Sequence, residues 1–142
     1  IVELGRSLLR LPATPLEGVA ETLETLRSRR RYRMAVFTKG ELLDQENKLQ
    51  RSGLKRYFDA VSIVSVKAPV SYRRLCHERG VAPSQLCMVG NSLKSDIAPA
   101  LGVGACAVYV PFHVTWKHEQ IAPFEHERMR AIERFAELTD VV

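Results

Sequence analysis

Apolar and polar positions follow two regimes along this chain: short unbroken apolar runs, and longer stretches with apolar residues every three or four positions. The first regime predicts strands buried on both faces and the second predicts amphipathic helices. Residues 1–11, with Val2, Leu4, Leu8, Leu9 and Leu11 apolar, read as the end of a helix, and a break follows from Pro12 to Pro15. Residues 17–30 give a helix with Val19, Leu23 and Leu26 in one stripe, then Met34-Ala35-Val36-Phe37 gives a buried strand. A helix over 41–52 stops at Gly53, a residue free to take the left-handed turn that ends helices. Ala60–Val66 is a β-branched run, residues 69–79 are helical to Gly80, and Leu86–Val89 is a third strand. Residues 93–101 are helical to Gly102, and Ala105–Val110 is a strand stopped by Pro111. Residues 111–127 carry turn signals and aromatics without period. A short strand near Met129–Ile132 and a helical turn at Ala136–Val141 close the chain.

Strands alternating with helices across short loops imply a parallel, doubly wound sheet. The chain's 142 residues, 46% of them apolar, suffice for one such domain with a real core. No apolar run approaches the ~20 residues that span a bilayer, and no signal peptide is visible.

Charge and cysteine change this picture little. The net charge is +5, and much of the excess lies in Arg27, Arg29, Arg30, Arg31 and Arg33. A cluster of this kind binds nucleic-acid phosphate or complements the carboxyl end of a solvated helix. Without interleaved aromatics or a nucleic-acid motif, the helix end is the better reading. Cys76, Cys87 and Cys106 are odd in number, form no CxxC pair and sit among apolar neighbours. They read as reduced core fillers of a cytoplasmic protein. His113, His118 and His126 match no standard metal spacing, so a surface loop anchored by Trp116 is the better reading.

Candidate chemistry lies where such sheets bind ligands, just beyond the carboxyl ends of the strands. Thr38-Lys39-Gly40 follows the first apolar strand and opens a helix, a hydroxyl and backbone N–H arrangement suited to an anion. Lys67-Ala68-Pro69 follows the second, where a Lys can neutralise phosphate charge; Tyr72, on the next helix, reads as core. Gly90-Asn91-Ser92-Leu93-Lys94-Ser95-Asp96 follows the third. It offers a helix cap and, with the Asn91 amide and Asp96 carboxylate, oxygen donors for a hard cation.

Singly these signals are ordinary. In this order, Thr, then Lys, then G-[DN]-S-x-x-x-D, they resemble the haloacid dehalogenase-like (HAD) hydrolase superfamily. Met88 to Ile97, Val108-Tyr109-Val110-Pro111 and Thr115-Trp116-Lys117-His118-Glu119 strengthen the resemblance, which runs from about residue 17 to 140. It implies a HAD-like Rossmannoid three-layer α/β sandwich with a parallel sheet in the order 3-2-1-4-5. It also implies that Thr38 holds a phosphoryl oxygen, that Lys67 neutralises phosphate and nucleophile, and that Asn91 and Asp96 hold Mg²⁺. Thr38, Lys39, Gly40 and Lys67 would then bind the substrate, a phosphate-like anion or small phosphorylated molecule.

The family's reaction begins with an Asp nucleophile in a D-x-D motif closing the first strand. This sequence has Asp44, Asp59, Asp96 and Asp140, none paired at that spacing. The chain opens Ile1-Val2-Glu3 without Met, so the resemblance places the nucleophile strand and most of the helical cap before residue 1. Residues 1–15 are then a remnant of the cap's last helix with its linker, and 16–142 the core. The expectations that follow are an N-terminally truncated phosphatase-type core without turnover, or a non-catalytic module that binds anions or proteins. A vacant central slot would leave two strands unpaired, which favours a homodimer.

Overall fold

A six-stranded parallel sheet organises the chain in the computed structural model, which describes residues 2–4, 18–110 and 124–142. The strands are β1 (Val2–Leu4), β2 (Met34–Lys39), β3 (Ala60–Val64), β4 (Cys87–Gly90), β5 (Cys106–Tyr109) and β6 (Met129–Ala131). Their spatial order is β3-β2-β1-β4-β5-β6, every neighbour parallel. The helices are α1 (Val19–Arg29), α2 (Leu42–Ser52), α3 (Pro69–Arg79), α4 (Ala98–Gly102) and α5 (Leu138–Val141).

The strands carry two cores because alternate residues of a strand face opposite ways. Val36, Val89 and Val108 meet Leu23 and Leu26 of α1, Leu49 of α2 and Leu138 of α5 on one face. Phe37 and Met88 meet Tyr72 and Leu75 of α3 and Ala100 of α4 on the other. Each fully buried aliphatic side chain contributes about 1.5–3 kcal/mol. This is the three-layer sandwich expected from the sequence.

The largest departure is at the start of the chain. Residues 2–4 were expected in a helix, yet Val2–Leu4 forms the central strand, with Leu4 opposite both Val36 and Val89. The slot expected to be vacant is filled by the chain itself. Apolar residues at positions 2 and 4 fit a two-residue period as well as a helical one. The unpaired N–H and C=O groups of β2 and β4 reward the strand. Residues 5–17 lie outside the described residues. So does 111–123, which includes His113, Thr115, Trp116, Lys117, His118 and Glu119.

A smaller departure follows β4. The helix expected over 93–101 begins as a π-turn, Leu93–Ile97, before α4. Ile97 N–H donates to Ser92 O and Ala98 N–H to Leu93 O, each spanning five residues. Pro99 has no N–H to give the Ser95 carbonyl, so regular α-helical pairing fails there.

Candidate functional site

The residues singled out from the sequence all sit at or just beyond the carboxyl edge of the sheet, but they reach it from opposite faces. Thr38 shares the α2 side of β2 with Val36 and is fully buried. Its Oγ1 donates to Oε1 of Gln45 on α2 at 3.3 Å. Lys39 ends β2 half-buried. Gly40 is exposed, and its N–H donates to Val64 O at 3.2 Å, so this amide belongs to the sheet edge rather than to an anion.

Lys67 approaches from the α3 side. Its loop is clamped by Ser71, whose hydroxyl donates to Val66 O at 2.6 Å and accepts from Ala68 N–H at 3.2 Å. The ammonium donates to Asp96 Oδ1 at 2.6 Å, with both side chains 1% exposed. It also lies 5.6 Å from the Phe37 ring centroid, a cation–π contact.

Asp96 is held by the turn after β4. Its Oδ2 accepts from Ser92 N–H at 3.1 Å, and Ser92 Oγ caps the π-turn by accepting from Ser95 N–H at 3.1 Å. A Cβ on Gly90 would fall 2.2 Å from Asp96 Oδ2, so only glycine lets the carboxylate lie against the strand end. Tyr72 supplies the donor that Pro99 withholds: its hydroxyl donates to Ser95 O at 2.7 Å and reaches Asp96 O at 3.2 Å. Its ring meets Phe37 edge-on, centroids 4.9 Å apart. Sequence reasoning placed Tyr72 in the core and missed this role. It also missed Gln45, whose trace was a polar residue one turn before Leu49 on the inward stripe of α2.

Asn91 is 7% exposed and its side chain bonds to no other described residue. Asn91 and Asp96 can be tested for the Mg²⁺ that the family generally uses. A hard cation of this size is usually held by one or two carboxylates with waters or substrate phosphate. Here the single carboxylate already balances an ammonium, and no three His, Cys, Asp or Glu cluster among the described residues. The set does not fit a self-sufficient Mg²⁺ site.

The arginine cluster sits at the opposite edge and is partly consumed by structure. Arg27 donates to Tyr57 O, Arg29 to Thr139 O and Arg33 to Arg79 O, at 3.0–3.1 Å. His126, also distant, accepts from Arg128 N–H. No described helix is long and apolar enough to cross a membrane.

A parallel sheet in this order, with Thr, Lys and Asp at or beyond the ends of β2, β3 and β4, defines a Rossmannoid α/β core. Residues 3–104 match the haloacid dehalogenase-like hydrolase family, and the chain belongs to that family. It is 31% identical over 96 residues to human N-acylneuraminate-9-phosphatase, a match covering 64% of this chain and 38% of that protein. It is 29% identical over 116 residues to the pyrimidine 5'-nucleotidase YjjG of Escherichia coli, covering 78% and 51%. A haloacid dehalogenase-like hydrolase from Xanthomonas campestris superposes with a TM-score of 0.78 at 29% identity, covering 89% of this chain and 53% of that one. The matches thus span about half the length of these relatives, or less.

Proposed function

We propose that this chain is a phosphatase-type HAD core that binds a phosphate-like anion or small phosphorylated molecule at the carboxyl edge of its sheet and, as it stands, does not hydrolyse it. The observation that carries this reading is the central strand. Val2–Leu4 occupies the place from which the family presents its nucleophile, and the sequence continues Gly5-Arg6-Ser7 with no Asp. Of the four aspartates, the one at the site is Asp96, whose charge is committed to Lys67. Thr38 and Lys67, the latter already paired with Asp96, cannot form the acyl phosphate on which covalent transfer depends. The relatives named as phosphatase and nucleotidase support a small phosphorylated ligand. A p-nitrophenyl phosphate assay with Mg²⁺ tests the reading: no turnover above background is expected. Clear turnover that vanishes in Asp96→Ala would overturn it. Isothermal titration with Mg²⁺ alone is expected to show no saturable binding.

Self-association belongs to the same reading, on new grounds. With β1 paired to both β2 and β4, no vacant slot calls for a second copy. Leu42, Leu43, Val66 and Val70, each more than half exposed, line the segments that follow β2 and β3. Burying them favours a homodimer in the cytoplasm, where Cys76, Cys87 and Cys106 stay reduced. A monomer mass by light scattering at micromolar concentration would refute the dimer.

A further inference from the structure

We propose that Gln45 is a phosphoryl-binding residue of this site, its carboxamide N–H₂ donating to an anion held beside Thr38. The inference rests on the reading of the carboxyl edge as an anion site and adds a residue to it.

The helix that carries Gln45 is polar almost all round, and Gln45 and Leu49 are its only buried side chains. An amide taken from water without partners is costly, so a buried Gln usually spends all its hydrogen-bonding groups on the protein. Gln45 is 5% exposed, yet only its Oε1 is engaged, by the Thr38 hydroxyl. Its Nε2 bonds to no other described residue. Nε2 keeps some contact with solvent, so its two N–H donors open outward from a side chain that is otherwise enclosed.

Their direction is given by Gly40. A Cβ built there would lie 2.6 Å from Gln45 Nε2, and the backbone has φ +144°, a conformation that side-chain-bearing residues rarely adopt. The loop closing β2 therefore carries no side chain at the spot the amide faces. The amide lies between Thr38 and Gly40, at the start of the eleven-residue helix α2, whose first N–H groups lack intrahelical partners.

The chemistry favours an oxyanion. Phosphate oxygens only accept, and this corner offers two kinds of donor. With Thr38 donating to Oε1, the amide gives its N–H groups to the ligand. If the amide turns over, Nε2 donates to Thr38 Oγ1 and the hydroxyl proton is released to the ligand instead. Either arrangement gives a phosphate oxygen a donor held in place by a buried partner, and neither suits a cation.

The test is titration of the full chain with inorganic phosphate by calorimetry, each variant first checked for native melting. Gln45→Met keeps the shape and removes the donors; a lost hydrogen bond to a charged group predicts about 10- to 100-fold weaker binding. Gln45→Glu keeps the acceptor for Thr38 and sets a negative charge where the N–H groups were, so it is expected to bind more weakly than Gln45→Met. A purely structural Gln45 would not give that order. Gly40→Ala crowds the amide from outside the core and is expected to weaken binding even if Gln45→Met fails to fold. If wild type binds phosphate, Thr38→Val weakens it and Gln45→Met does not, the inference alone is overturned. If wild type binds no phosphate, the proposed function fails with it.

Discussion

The two ends of β4 treat ionisable groups in opposite ways. At its carboxyl end the buried Lys67 and Asp96 are built against each other as an ion pair 2.6 Å apart. At its amino end Cys87 is largely enclosed beside Cys106, its register partner on β5, and burial pushes its thiol up to about 12. A group removed from water stays charged where an opposite charge is built against it and neutral where none is. The sheet therefore keeps a compensated ion pair at its carboxyl edge and a thiol held neutral at the start of β4.

The largest effect comes from breaking that ion pair. Removing one partner of a buried pair strands the other, and Asp96→Asn or Lys67→Met should each cost about 3–5 kcal/mol in denaturant unfolding. In the Lys67→Met background, Asp96→Asn should cost much less, since no charge remains to be stranded. Additive costs in that double-mutant cycle would mean that the two groups are not a pair in solution.

The comparison also shows what a sequence can and cannot reveal. Periodicity found β2, α2 to Gly53 and α3 to Gly80, because local apolar spacing and glycine stops act within a few residues. The order of Thr38, Lys67 and Asp96 along the chain pointed to the candidate site at the carboxyl edge, because a doubly wound sheet brings strand ends together whatever lies between. Val2–Leu4 was misread because three residues carry both periods, and only the neighbouring strands decide between them. Gln45 and the Tyr72 hydroxyl escaped notice for a related reason. Their partners, Thr38 Oγ1 and the Ser95 carbonyl, are supplied by tertiary packing, and the carbonyl matters only because Pro99 leaves it without a donor.

That last contact gives the intermediate effect. Tyr72→Phe keeps the edge-on packing on Phe37 and leaves the Ser95 carbonyl without its 2.7 Å donor. A buried acceptor so orphaned costs about 1–3 kcal/mol. The π-turn that carries Asp96 should loosen as well, so hydrogen exchange at residues 93–97 should quicken by more than it does in α1. Equal quickening in both would reduce Tyr72 to a general core residue.

The smallest effect tests the amino end of β4. The Cys87 thiol has its folded pKa raised to about 12 from 9.0, chiefly by burial and then by Cys106. Below pH 9 both states carry the neutral thiol, and its contribution is fully present. Above pH 9 the unfolded chain loses the proton while the folded chain keeps it, so the unfolded state is favoured increasingly up to about pH 12. At pH 10 this amounts to about 1 kcal/mol. Tyrosines and lysines titrate in the same range, so the measurement is a difference: denaturant unfolding of wild type against Cys87→Ala at pH 8 and pH 10. The variant should lose less stability between the two. The same burial predicts that iodoacetamide at pH 8 modifies Cys87 far more slowly than a free thiol, since the thiolate is the nucleophile. Rapid alkylation of the folded chain together with parallel pH profiles would show that Cys87 is not held neutral, and the contrast between the two ends of β4 would collapse.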